Sequence, residues 1–196
     1  MDNFPPATTP VPTEPIKPRS TFGSFVLETL QTVILAVVLY FLIDTVVARV
    51  RVENISMEPT LQSGEFVLVN KLAYRIGDIH RGDIIVFHYP QDPSQDYIKR
   101  IIGVAGDVVD VHDQTVYVNN QALVEPYIMA APLYNGKWTV PPNDLFVLGD
   151  NRNESSDSHY WGFVPDANVV GRALVIYWPL SDLKILDQPI VVKAAN

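Results

Sequence analysis

The hydrophobic positions divide the chain near residue 48. Before that point, residues 25 to 47 form one nearly unbroken apolar stretch in which Glu28 and Asp44 are the charged positions. The uncharged run from Thr29 to Ile43 has 15 residues. As an α-helix it would reach about 22 Å, short of a hydrocarbon core of about 30 Å. Residues 25 to 47 together reach about 34 Å and put both carboxylates near an interface, within reach of water. The pattern predicts one transmembrane helix within residues 21–48. The alternative is an amphipathic surface helix or a packed core helix. No small-residue cleavage site follows the stretch, which argues against a removable signal. Lys17 and Arg19 precede it and Arg49 and Arg51 follow it, so charge alone does not orient it.

After residue 48 the pattern changes to short runs rich in Val, Ile and aromatic residues. Strands are expected at Phe66–Val69, Asp83–Phe87, Val108–Val111, Thr115–Val118, Leu145–Leu148 and Ala173–Trp178. Tyr97–Gly103 also has strand character. Gly, Asp, Asn or Pro bound these runs, and His112-Asp113-Gln114 reads as a hairpin turn. No long helix is expected here. The fold class is therefore mainly β: an antiparallel, mixed-sheet domain over 49–196, preceded by one membrane helix. Residues 1–20 carry six prolines and several threonines, and read as an extended, disordered tail.

Composition narrows the partners. The formal net charge is −8, which argues against nucleic acid. There are no cysteines, so disulfides, a thiol nucleophile and a cysteine zinc site are excluded. His80, His88, His112 and His159 show no metal-ligand spacing. The acidic loop after residue 149 does not match a calcium loop. No metal and no cofactor are expected.

Candidate chemistry rests on Ser56 and Lys99. Ser56 opens Ser-Met-Glu-Pro-Thr-Leu, and Lys99 lies within Tyr-Ile-Lys-Arg-Ile-Ile-Gly. A serine in a segment followed by a proline, here Pro59, commonly serves as a turn or cap residue. A lysine on a strand commonly stays solvated or guards a sheet edge. Strand alternation, however, puts Tyr97, Lys99 and Ile101 on one face, where apolar neighbours would desolvate the ammonium. To act as a base near neutrality its pKa must fall from about 10.4, at a cost of roughly 3–4 kcal/mol. Such a lysine can activate a serine, a known variant of the serine triad. The polar segment Gly149-Asp150-Asn151-Arg152-Asn153-Glu154-Ser155-Ser156-Asp157-Ser158-His159 follows a strand. It reads either as a self-satisfied turn network or as the lining of an active site.

Taken in order, these blocks resemble the type I signal peptidases, the Ser–Lys proteases of peptidase family S26. The resemblance runs from about residue 25 to residue 180. It includes the apolar helix, Ser56-Met57-x-Pro59-Thr60-Leu61, Arg81-Gly82-Asp83-Ile84-Ile85-Val86-Phe87 and the Lys99 strand. It continues through Gly106-Asp107, Gly149-Asp150-Asn151-Arg152 and Ser155-x-Asp157-Ser158. The resemblance implies that Ser56 is the nucleophile and Lys99 the general base. It further implies that Ser155 orients the lysine, that Asp157 is the acidic neighbour, and that the Ser56 N–H is an oxyanion donor. Asn54 stands where the family often has Ser or Gly, and its amide can donate a second hydrogen bond. His159 stands where an arginine usually partners Asp157, which weakens the expected ion pair. Val52, Met57, Leu61, Tyr97 and Ile98 match positions that line a shallow apolar substrate pocket.

The implied partners are preprotein signal peptides and membrane lipid. The implied location is the cell membrane, with a single pass and the β domain on the extracytoplasmic side. Two other functions fit parts of the pattern. A LexA-like Ser–Lys autoprotease shares the dyad, but no helix-turn-helix precedes Ser56. A non-catalytic, membrane-tethered β scaffold would have no need of both Ser56 and Lys99.

Overall fold

The computed structural model describes residues 22–186 and the backbone of 191–192. The segment expected as a tail over 1–20 lies outside the described residues. Helix α1 spans Phe22–Val46, 25 residues in all, or about 37 Å. None of its residues is buried, and apolar side chains stand on every face. It is long and apolar enough to cross a bilayer. The hydroxyls of Thr29 and Thr32 donate to the carbonyls of Phe25 and Glu28, each at 2.8 Å, so neither needs water. The helix ends two residues before the expected boundary, because Val47 and Ala48 pair with Asn70 and Val69 as part of a strand. Lys71 closes the last turn: its N–H donates to Val46 O and its Nζ to Asp44 O.

Thirteen strands follow among the described residues: β1 (Val47–Arg51), β2 (Phe66–Asn70), β3 (Ile84–Tyr89), β4 (Asp92–Gly103), β5 (Val108–His112), β6 (Thr115–Val118), β7 (Gln121–Val124), β8 (Gly136–Thr139), β9 (Asp144–Leu148), β10 (Val164–Pro165), β11 (Val169–Trp178), β12 (Lys184–Ile185) and β13 (Val191–Val192). Two single-turn helices interrupt them, α2 (Ala73–Ile76) and α3 (Ser158–Trp161). Every pairing is antiparallel. The larger sheet runs β1-β2-β11-β3-β4-β9-β10, with β12 attached to β11, and the smaller runs β13-β7-β6-β5-β8. The fold is thus mainly antiparallel β behind one apolar helix, the class expected from the hydrophobic pattern.

Two of the hairpins turn on a pair of residues with left-handed backbone. Asp113 and Gln114 join β5 to β6, and Asn119 and Asn120 join β6 to β7. All four have positive φ, as the right-handed twist of such hairpins requires.

Three apolar clusters hold the sheets. Val52, Met57, Leu61, Val67, Val69 and Ile84 belong to one, under the larger sheet. Ile102, Val109, Val116, Phe146 and Leu148 belong to a second, where β4 and β9 meet the smaller sheet. Ile85, Phe87, Ile101 and Val147 belong to the third. Strand β4 contributes to two of these clusters and pairs on both sides, Lys99 opposite Ile85 and Arg100 opposite Leu148. That central place positions the site. Lys99 is fixed in the middle of the sheet, one residue before the pair that leads into the polar loop after β9.

Candidate active site

Ser56 lies in the connection between β1 and β2. Met57 and Leu61 close a turn there, with Leu61 N–H donating to Met57 O at 2.9 Å. Both side chains are wholly buried in the first apolar cluster and pin the loop to the sheet. Ser56 is left at the loop surface facing β4. Lys99 Nζ lies 2.7 Å from Ser56 Oγ and donates a second bond to Ile98 O at 3.0 Å. Ser56 is 8% exposed and Lys99 4%. Lys99 also stands 5.4 Å from the centroid of the Tyr97 ring. Burial pulls the lysine down to about 8, against the opposing influence of the Asp157 and Asp150 carboxylates. A serine hydroxyl and a lysine amine are therefore in contact, and desolvation brings the lysine's pKa down toward neutrality.

The pair sits in a cleft of about 480 Å³ between the chain at 50–56 and the start of the buried part of β4. Val52, Asn54, Tyr97 and Ile98 line it. Asn54 is exposed, and its side chain makes no hydrogen bond among the described residues. Met57 and Leu61, also named as pocket residues from the sequence, lie behind that lining: the turn that presents Ser56 uses both as its anchor in the core.

The loop after β9 closes the back of the site. Gly149 is placed where a Cβ would come within 2.3 Å of both Ser56 O and Ser155 Oγ, so glycine alone fits that approach. Asp157 is fully buried and accepts from Gly149 N–H at 2.9 Å. It also caps α3, accepting from His159 N–H at 3.3 Å. The His159 ring keeps a contact where an arginine was expected: Nδ1 lies 2.5 Å from Asp157 Oδ1. The same ring stacks on Tyr134 at 3.9 Å between centroids. Ser155 is not hydrogen-bonded to Lys99. Its hydroxyl is buried and has no hydrogen-bond partner among the described residues.

The sequence did not point to the charge network beneath the loop. Arg100 is fully buried and holds Asp150 through Nε at 2.7 Å and Nη2 at 2.6 Å. Arg152 is likewise buried and holds Glu125, with Nη2 to Oε1 at 2.6 Å and Nη1 to Oε2 at 3.0 Å. Burial pulls Arg152 down, and the Glu125 carboxylate more than restores it, leaving the guanidinium above its ordinary value. Tyr127 lies between the two arginines, 4.0 Å from Arg100 and 5.9 Å from Arg152. Its hydroxyl donates to Glu125 at 2.9 Å. Strand alternation carried the one available signal: Arg100 must point away from Lys99, into the core, where a charge needs a partner. Among the described residues, no group of three or more His, Asp or Glu side chains is placed to hold a metal ion.

A serine held against a buried lysine at an open cleft is the arrangement of Ser–Lys hydrolases. Comparison with known proteins gives the family. The model of the family "Signal peptidase, peptidase S26" matches residues 26–178. Signal peptidase I of Leptolyngbya laminosa is 42% identical over 187 residues, covering 91% of this chain and 92% of its own. Probable signal peptidase I-2 of a Synechocystis species is 46% identical over 168 residues, covering 82% of this chain and 77% of its own. The crystal structure of a signal peptidase I from Enterococcus faecalis covers 50% of this chain and 97% of its own, at 36% identity and a TM-score of 0.46. This chain belongs to the signal peptidase family, peptidase S26, and is a peptidase.

Proposed function

We propose that this chain is a membrane-anchored endopeptidase that removes signal peptides from exported preproteins, with Ser56 and Lys99 as its catalytic dyad. The observation that carries the reading is the 2.7 Å contact between Ser56 Oγ and the Nζ of a buried lysine. A lysine with its pKa near 8 is substantially neutral at mildly alkaline pH. It then has one lone pair for the Ser56 proton, while one of its N–H groups remains on Ile98 O.

The steps follow from that geometry. Lys99 Nζ takes the proton as Ser56 Oγ bonds to the scissile carbonyl carbon, leaving an oxyanion. The Ser56 N–H faces that oxygen, with Asn54 as the second donor. The carbon–nitrogen bond then breaks, and Lys99 gives its proton to the leaving amine. Water attacks the acyl-enzyme with Lys99 again as base, releasing the carboxylate and restoring the Ser56 hydroxyl. Val52, Tyr97 and Ile98 offer shallow apolar contacts to small side chains before the cut. Ser155 supports the lysine pocket by packing against Gly149. No step calls for a metal or cofactor.

Helix α1 would hold the enzyme in the same bilayer as the signal peptide, with its apolar side chains in lipid. The family resemblance supports an extracytoplasmic β domain. The reading is tested by cleavage of a preprotein in detergent: Ser56→Ala and Lys99→Ala should each abolish turnover while circular dichroism stays unchanged. Near-normal turnover by either variant would remove that residue from the dyad.

A further inference from the structure

The oxyanion step needs the Ser56 N–H held in one direction, and that N–H belongs to the Ile55–Ser56 peptide. This peptide is trans. In a trans peptide the C=O and N–H point oppositely, so whatever holds Ile55 O also aims the Ser56 N–H. Ile55 O accepts from Glu58 N–H at 3.0 Å and from Asn151 Nδ2 at 3.3 Å. The next carbonyl, Ser56 O, accepts from the Asn151 backbone N–H at 3.1 Å. One residue therefore grips the carbonyls on both sides of the nucleophile. The Ser56 N–H, on the opposite side of its peptide, donates to no group among the described residues.

The grip is itself held. Asp150 is fixed by Arg100 and Arg152 by Glu125, and all four side chains are buried. Arg152 Nε also donates to Gly149 O at 3.0 Å. The positions on either side of Asn151 are thus pinned by separate ion pairs, one to β4 and one to the chain after β7. A backbone clamped at 150 and 152 has little freedom at 151.

The geometry points to Asn151 as the positioning residue for the oxyanion donor: its amide and its own N–H hold both carbonyls that flank Ser56 and keep the Ser56 N–H turned away and free. This inference rests on the dyad reading above. Asn151 touches no reacting atom. It acts through the peptide that carries the donor, so its loss should raise the barrier without weakening binding of the uncleaved peptide.

The test uses the full chain in detergent, a fluorogenic peptide substrate, and a peptide aldehyde of the same sequence. Ser56 Oγ adds to the aldehyde carbon as its proton passes to Lys99, so the adduct carries an oxyanion at the donor. Asn151→Ala should lower kcat by about 10- to 100-fold, with KM unchanged and with aldehyde affinity falling in step with kcat. Asn151→Asp, of the same size but with no side-chain donor, should do the same; it covers the case in which Asn151→Ala lowers the melting temperature. Glu125→Gln, which loosens the clamp, should show the same split in milder form. A kcat within about twofold of wild type in both Asn151 variants would overturn the inference. So would a loss confined to KM, or an unchanged aldehyde affinity. If Ser56→Ala instead cleaves normally, the dyad reading falls, and the inference falls with it.

Discussion

Lys99 is set by opposing influences of unequal size. Burial drives its pKa down, while the Asp157 and Asp150 carboxylates push it up, and burial wins. Removing one of the opposing charges should therefore lower the lysine further. Asp157→Asn deletes a nearby negative charge that favours the ammonium, so the rise of kcat/KM with pH should move to lower pH. The direction follows from sign alone: without the carboxylate, the protonated lysine loses a favourable interaction and the neutral amine does not. A move to higher pH would mean that Asp157 acts on Lys99 through structure rather than charge. Ser155 makes a contrasting case. Its role was implied by family resemblance, yet its hydroxyl finds no partner among the described residues and its side chain lies beside Gly149.

Strand β4 and the loop after β9 are the elements that bring the site together. Gly149 is the point of closest approach, and a methyl group there would meet Ser56 O and Ser155 Oγ at 2.3 Å. Gly149→Ala should push the loop away from the nucleophile, cost about 1–3 kcal/mol of stability, and reduce kcat by more than the stability loss alone accounts for. A variant with wild-type kcat would show that the approach is not needed for chemistry; the assay is turnover alongside a urea melt.

Much of this arrangement was legible in the sequence. The β-branched runs at 66–69, 83–87, 108–111, 115–118, 145–148 and 173–178 all fall within or overlap strands, because alternation and branching leave them few other conformations. Strands β7 and β8 were not legible. Each is four residues long and mixed in polarity, and each is held by its neighbours rather than by its own preference. Strand β1 was hidden for another reason: Val47 and Ala48 continue the apolar composition of α1, and only pairing with β2 ends the helix. Ser56 and Lys99 were legible because each sits in a distinctive local string. Glu125 and Arg152 are 27 positions apart, and no local pattern says that two such charges meet in the core.

The whole molecule combines an apolar helix with a β domain whose first strand begins where the helix stops. That junction dictates where the chain can be cut. A variant beginning at Val47 keeps β1 intact and should fold and cleave a soluble peptide, though with lower efficiency on membrane-held preprotein. A variant beginning at Val52 removes β1, uncovers β2 and takes away Val50 and Arg51 from one wall of the cleft. It should lose peptide cleavage and melt at a markedly lower temperature. Equal activity in the two variants would show that β1 is dispensable to the site. An inactive but well-folded Val47 variant would show that the helix contributes to catalysis directly.

The proposed mechanism turns on a buried, neutral Lys99 that activates Ser56. The most direct measurement is kcat/KM for a peptide substrate from pH 5 to 11, which reports the base in the free enzyme. Burial places Lys99 near 8, so the neutral base is scarce below that pH and dominant above it. The expected result is an ascending limb with its midpoint near pH 8, absent in Lys99→Ala. An ascending limb that persists to pH 10 and above, where an exposed lysine titrates, would contradict it.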